Sequence, residues 1–177
     1  MLQHKRCKII LSPIERNSNM ACSRGPKSSH LAAEYADGLM ISVKNPEDAY
    51  ERVINPAKIK TGELGKSDLR IHTYRWTMFA ENDDDAWESL KSWRGLRAPN
   101  RLQEIDPQAL REQADALPKE EIMSKFSRAG TVDELVDIYS PLVDDFGSEI
   151  VTIQISSVDQ EETIKLLGKE LLPRLKK

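Results

Sequence analysis

Short apolar runs alternate along this chain with longer segments whose apolar residues recur at helical spacing. The clearest unit begins with the run Met20–Cys22, which leads into the turn Arg-Gly-Pro-Lys-Ser-Ser, an amphipathic helix over 27–36 and a buried strand over 39–43. Asp37-Gly38 stands between helix and strand as a helix stop. The pattern predicts a strand–helix–strand unit whose first turn suits an anion.

The same alternation continues to the end of the chain. A helix is predicted to begin at Pro46 after the cap Asn45 and to end or kink at Pro56, with a loop over 60–67. Later elements are a strand over 69–80, helices that begin at Asn82, Pro107, Pro118 and Val132, a strand over 149–156 and a closing helix over 159–175. Alternating strands and helices indicate a parallel sheet covered by helices, and four convincing strands correspond to half of an eight-stranded (β/α)8 TIM barrel.

Length and charge narrow the functional classes. The chain has 177 residues, fewer than the roughly 250 of a complete barrel, and we expect an irregular segment or disrupted junction over 1–19 before a half-barrel over 20–177. A net charge of −3 argues against nucleic acid as the main partner. No apolar run approaches the roughly 18 residues that cross a membrane, and the N-terminus lacks a signal-peptide pattern, which indicates a cytoplasmic protein.

Metal and thiol chemistry have little support in the pattern. Cys7 and Cys22 form neither a CxxC pair nor a cluster with histidine. We expect Cys22 to be a small buried residue at a strand end rather than a thiol beside a ligand. The acidic run over 82–85 suits the positive end of a helix better than a metal site.

Three stretches carry a resemblance to a known family. They are ACSRGPKSSHLAAEYADGL, DPQALREQADALPKEEI and GTVDELVDIYSPLVDDFG, the last followed by an apolar strand and a helix that ends LLPRLKK. Together they resemble the C-terminal half of the luciferase-like monooxygenase superfamily, in its branch that uses coenzyme F420. Within that branch the chain is most similar to the glucose-6-phosphate dehydrogenase group, with methylenetetrahydromethanopterin reductases as near relatives.

The resemblance implies a cofactor site at the Gly-Pro turn. In the family this turn wraps the phosphate end of the cofactor through backbone N–H groups at a helix start, which corresponds here to Arg24, Gly25, Lys27 and Ser28. Arg24 stands where the family has a small residue. The alternative is an ordinary strand–helix turn with solvated basic side chains.

The resemblance also implies a site for the phosphate of a phosphorylated sugar. The family's threonine corresponds to Ser42, a nearby lysine to Lys44, a second lysine to Arg101, and an arginine beside an aromatic residue to Lys125. Because lysine is a point charge and arginine a planar fork, these exchanges alter the geometry offered to an anion. Solvated surface charges are the alternative.

The implied reaction is hydride transfer between a small-molecule substrate and the deazaflavin. The family's acid–base histidine and glutamate, and most contacts to the deazaflavin ring, lie in the first half of the barrel, and no substitute catalytic pair is evident here. We therefore expect the chain to be inactive alone, as a fragment or a partner of a separately encoded N-terminal half or a second copy. The alternatives are a non-catalytic binding or assembly module and a fragment of an FMN-dependent monooxygenase.

Overall fold

A five-stranded parallel sheet forms the centre of the computed structural model, which describes residues 19–66 and 69–175. The strands are β1 Met20–Cys22, β2 Gly38–Ser42, β3 Arg70–Phe79, β4 Ser127–Ala129 and β5 Ile150–Ser156. β3 lies in the middle, with its first half against β2 and its length from His72 to Met78 against β5. β4 pairs with the end of β3, beyond the last residue of β2. The predicted α/β half-barrel is confirmed, with β4 as an additional strand.

Helices connect these strands and cover one face of the sheet. They are α1 Pro26–Tyr35, α2 Pro46–Ala49, α3 Asn55–Glu63, α4 Asp83–Ser89, α5 Pro107–Asp115, α6 Lys119–Met123, α7 Val132–Asp144, α8 Gln160–Leu166 and α9 Leu172–Leu175. Wider π-helical turns join α2 to α3 over Tyr50–Ile54 and α8 to α9 over Leu167–Leu171. The loop predicted over 60–67 is wrong, because α3 continues to Glu63. Pro56 follows the π-helical turn Tyr50–Ile54 and does not end the helix, which continues to Glu63.

Side-chain caps begin several helices where the sequence places them. Asn45 accepts a hydrogen bond from the Asp48 N–H at 3.1 Å, and Asn82 accepts one from the Asp85 N–H at 2.9 Å. The acidic run therefore occupies the first turn of α4, as predicted, where carboxylates favour the helix dipole. Over 19–66 and 69–175, no group of three or more His, Cys, Asp or Glu side chains could hold a metal ion.

Helix α7 begins with a capping box that connects it to β4. Thr131 Oγ1 accepts a hydrogen bond from the Glu134 N–H at 3.2 Å, while the Glu134 carboxylate accepts from the N–H groups of Gly130 and Thr131. We expect Thr131→Ala to lower the free energy of unfolding by about 1 kcal/mol. Urea denaturation would measure this loss. Thr131→Ser keeps the oxygen and is the matched control, so equal losses in the two variants would contradict the capping role.

Two apolar clusters stabilise the fold. The larger lies between the sheet and helices α1, α3 and α7, and it includes the fully buried side chains of Leu39, Ile41, Leu135 and Tyr139. The smaller packs the segment 81–126 against the carboxyl half of β3, around Met78, Leu90, Ile122 and Phe126. This segment therefore packs as a helical cap over the carboxyl end of the sheet.

Side chains on the opposite face of the sheet are exposed to solvent, and the outer edges of β1 and β5 have no paired strand among the described residues. Along β5, Ile150, Thr152 and Gln154 are exposed, whereas the intervening Val151 and Ile153 pack against the larger cluster. Among the described residues, β1 pairs with β2 alone and β5 with β3 alone. In a closed barrel this face would be the interior, and the edges would pair with further strands.

None of the helices over 19–66 and 69–175 has the length and apolar character to span a membrane. Apart from Asn19, the segment 1–19 that the sequence predicts to be irregular lies outside the described residues.

Candidate functional site

A cavity of about 590 Å³ opens at the carboxyl ends of β1 and β2, beside the middle of β3. Its floor is the end of the sheet, and the cap over 81–126 contributes its far wall through Arg97 and Lys125. The carboxyl ends of parallel strands are where α/β barrels carry their active sites. The cavity is therefore the candidate site.

The turn between β1 and α1 is held by a network of serine hydroxyls. Ser23, which is buried, lies 2.7 Å from Ser28 Oγ and 3.0 Å from Ser29 Oγ. The hydroxyls of Ser28 and Ser29 both donate to the carbonyl of Gly25 at 2.9 Å. Because its hydroxyl bonds within the turn, Ser28 offers its backbone N–H rather than its side chain to a ligand.

The front of the turn is open and rich in donors. A Cβ added to Gly25 would meet no atom within 4 Å, and the residue is extended, with φ −175°. The N–H groups of Lys27 and Ser28 lie in the first turn of α1 and have no hydrogen-bond acceptor among the described residues. Free amides at a helix start, beside the exposed Arg24 and Lys27 side chains, form a site that fits a phosphate. The residues present therefore fit the phosphate end of a cofactor.

Cys22 is exposed, so the prediction of a buried residue at this strand end is wrong. Its side chain lies on the open face of the sheet and lines the cavity. Burial there would require the covering layer that a closed barrel supplies.

The structure brings most of the predicted substrate-phosphate residues together. Ser42 and Lys44 lie at the end of β2 and line the cavity, and Lys125 lines it from the cap. Arg101 is exposed and does not line the cavity. Arg97, four residues earlier at the end of the 3₁₀ turn Arg94–Arg97, does, and the sequence interpretation missed it. No local signal distinguishes the two arginines, since the packing of the cap decides which one faces inward.

Positive charge dominates the cavity. Arg24, Lys44, Arg97 and Lys125 all line it, while Asp48 is the single carboxylate among the described residues that line it. Asp48 Oδ1 also lies 3.5 Å from the guanidinium of Arg52, which offsets part of the negative charge of Asp48. A cavity with this balance favours an anionic ligand.

Aromatic residues form the wall between sheet and cap. Tyr74 and Trp76 extend from β3 into the cavity lining. The Trp76 ring meets Trp93 edge-on at 4.9 Å and Phe126 at 5.5 Å between centroids. This wall joins an apolar surface to the basic residues, a combination typical of sites for organic anions.

Comparisons with known proteins identify the family of this chain. A sequence model of the luciferase-like monooxygenase family matches residues 5–145. This chain belongs to the luciferase-like monooxygenase family. The match begins within the segment 1–19, and it includes the turn at Gly25, the residues that line the cavity and the whole of α7.

Relatives of this luciferase-like chain include enzymes that use coenzyme F420. It is 27% identical over 173 residues to 5,10-methylenetetrahydromethanopterin reductase of Methanopyrus kandleri, covering 87% of this chain and 49% of the reductase. It is 27% identical over 158 residues to F420-dependent glucose-6-phosphate dehydrogenase of Microbacterium testaceum, covering 86% of this chain and 47% of that enzyme. The chain thus spans about half the length of the curated relatives it matches.

A solved structure shows the same fold. The luciferase-like chain superposes on an F420-dependent secondary alcohol dehydrogenase in complex with an F420-acetone adduct, with a TM-score of 0.71 at 22% identity. The superposition covers 89% of this chain and 48% of the dehydrogenase. The sheet described above is therefore a partial barrel of the luciferase-like type.

Proposed function

We propose that this chain forms the cofactor-phosphate and substrate side of an F420-dependent oxidoreductase site. The observation that carries the proposal is the turn at Gly25, whose free amides and open space lie beside a strongly basic cavity. Relatives named as F420-dependent, a glucose-6-phosphate dehydrogenase and a secondary alcohol dehydrogenase, support this choice of cofactor. The substrate we propose is a phosphorylated sugar or alcohol.

The chain's own residues would bind and orient the cofactor and the substrate, and they would not exchange protons with them. The N–H groups of Lys27 and Ser28, with the side chain of Arg24, would hold the phosphate of the cofactor. The bound deazaflavin would supply the two-electron hydride carrier. Lys44 and Lys125 would hold the substrate anion so that its reacting carbon faces the ring, and the aromatic wall at Trp76 would exclude water from that side.

We propose that the acid–base pair lies in the half of the barrel that this chain does not match. Within 19–66 and 69–175, the cavity lining holds no histidine, and its carboxylate Asp48 lies beside Arg52. Such a lining offers no general acid paired with a general base. The open face of the sheet and the free edges of β1 and β5 would then receive the strands that carry this pair, from the same polypeptide, a separate one or a second copy.

Cofactor binding by the whole chain tests the proposal. Coenzyme F420 is titrated against the protein and followed by the fluorescence anisotropy of the deazaflavin, with FMN titrated in parallel. We expect saturable binding of F420 that inorganic phosphate competes away, since the chain contacts the phosphate end, and weaker binding of FMN. A light-scattering mass taken on the same samples reports whether two copies associate.

Each outcome of this titration decides between the candidate functions. Stronger binding of FMN than of F420 would favour an FMN-dependent monooxygenase site. Failure to bind either cofactor, with association into dimers, would favour the assembly module. F420 binding that phosphate does not displace would contradict the assignment of the Gly25 turn.

A further inference from the structure

Arg97 carries a buried donor for which the fold provides no acceptor. Its Nε atom is buried and makes no hydrogen bond to any of the described residues. A buried unpaired donor costs about 1–3 kcal/mol, and native structures pair nearly all such groups. Nε itself is enclosed by the fold, but the side chain lines the cavity and its Nη groups make no hydrogen bond or ion pair with the described residues, so a ligand oxygen is the acceptor that this outer edge of the guanidinium would meet.

The position of this guanidinium is fixed before any ligand arrives. It lies over the ring of Phe126, 4.7 Å from the centroid. Its backbone belongs to the 3₁₀ turn Arg94–Arg97, in which Gly95 is buried and which the fully buried Ala98 follows. Arg94 connects the same turn to α5 through a two-point ion pair with Asp115. A preorganised donor loses little entropy when it binds an anion.

The surroundings of Arg97 also favour a negative ligand. Burial lowers its pKa, and the positive charge of Arg101 lowers it further. A guanidinium nevertheless stays protonated in proteins. With Lys44 and Lys125 on the same cavity, a bound oxyanion would offset both the desolvation of Arg97 and the mutual repulsion of these cations.

We propose that Arg97, rather than Arg101, anchors the anionic group of the substrate and so determines specificity for phosphate or carboxylate substrates. Its fork can meet two oxygens of one anion, while Lys125 and Lys44 add point charges. The identity of this anion as part of a hydride-transfer substrate rests on the proposed function. The anion site itself depends only on the residues of the cavity.

Phosphate binding by four forms of the full chain tests this assignment. Inorganic phosphate is titrated against wild type, Arg97→Gln, Arg97→Lys and Arg101→Gln, and tryptophan fluorescence is followed because Trp76 and Phe126 lie in the same wall. We expect Arg97→Gln to raise the Kd by at least about tenfold. Arg97→Lys should lose less, since it keeps the charge without the fork. Arg101→Gln removes the same charge outside the cavity and should change the Kd by less than about threefold.

Two further readouts separate binding from folding. The Nε–H resonance of Arg97, assigned by its loss in Arg97→Lys, should shift as phosphate is added. Melting temperatures of the four proteins check that the variants are folded. An equal or larger loss of affinity in Arg101→Gln, an unshifted Nε–H resonance, or no saturable response in wild type would overturn the proposal.

A last arm distinguishes a substrate anion from the cofactor's own phosphate. The phosphate titration is repeated with F420 at saturation. A retained response that still depends on Arg97 supports a substrate site, whereas a response abolished by F420 would assign the anion to the cofactor and overturn the proposal. If F420 does not bind at all, the proposed function fails, while the comparison of Arg97→Gln with Arg101→Gln still decides whether Arg97 holds an anion.

Discussion

Replacing Tyr139 with alanine should lower the free energy of unfolding by about 3–5 kcal/mol, as expected for a large side chain removed from a core. Tyr139 is fully buried in the larger apolar cluster. Its hydroxyl lies 2.9 Å from Thr77 Oγ1 and donates to the carbonyl of Arg75 at 3.0 Å. These two residues flank Trp76, so the side chain from α7 holds β3 in place on both sides of the aromatic wall. Urea denaturation would measure the loss.

The variant Tyr139→Phe is the matched control, because it keeps the ring and removes only the hydroxyl. Its expected loss is about 1–3 kcal/mol, the cost of leaving buried polar partners unpaired. Burial raises the pKa of Tyr139 to about 12, against the opposing effects of the Thr77 hydrogen bond and the charge of Arg75. The two variants therefore separate packing from hydrogen bonding at one position.

Alkaline pH gives a second test of Tyr139. A phenol in the unfolded chain ionises near pH 10, whereas the folded protein keeps this proton until about pH 12. The stabilisation is therefore complete below about pH 10 and is lost as the pH rises through the folded pKa, by up to about 3 kcal/mol. Wild type should lose this stability and Tyr139→Phe should not. Parallel losses in both proteins would show that Tyr139 ionises as easily in the folded state as in the unfolded one.

Local signals in the sequence predict much of the fold. The cap at Asn45 forms as expected, and the side chains of Asn82 and Thr131 cap the helices predicted to begin at Asn82 and Val132, because the bond between a short polar side chain and a nearby N–H depends on few residues. The sequence does not predict β4, because Ser127–Ala129 has no apolar run. This strand forms only by pairing with the end of β3. The sequence predicts a shorter helix than α3, because Pro56 and Gly62 are residues of low helix propensity and their packing is unknown at that stage.

The candidate site is less accessible to sequence reasoning, because distant segments build it. The turn at Gly25 has a local motif, and the residues around it meet as the motif suggests. Arg97 and Phe126, in contrast, come together only through the folding of the cap. Cys22 is exposed for a similar reason, since its burial would require a layer over the open face. Residue type and spacing therefore identify the candidate turn at Gly25, while the orientation of Arg97 needs coordinates.

Replacing Gly25 with aspartate should weaken F420 binding by about 30- to 100-fold without destabilising the fold. The residue is extended rather than left-handed, and a new Cβ meets no atom within 4 Å, so the substitution fits. Gly25 is the N-cap of α1 and makes no side-chain cap, which aspartate would supply. A carboxylate close to a bound phosphate repels it by about 2–3 kcal/mol at an effective dielectric constant near 20.

Gly25→Asn separates charge from size in this experiment. Asparagine caps a helix about as well as aspartate and occupies a similar volume, but it carries no charge. We expect both variants to melt at or slightly above the temperature of wild type. Both side chains can accept a hydrogen bond from the Lys27 or Ser28 N–H and so lower F420 affinity, and Asp should lower it further through charge repulsion. Equal losses would mean that occupation of the turn, rather than charge, weakens binding, and unchanged affinity in both would mean that the cofactor phosphate binds elsewhere. If the free amides of α1 bind the cofactor phosphate and do not stabilise the fold, Gly25→Asp should stabilise the helix and at the same time lower the affinity for F420.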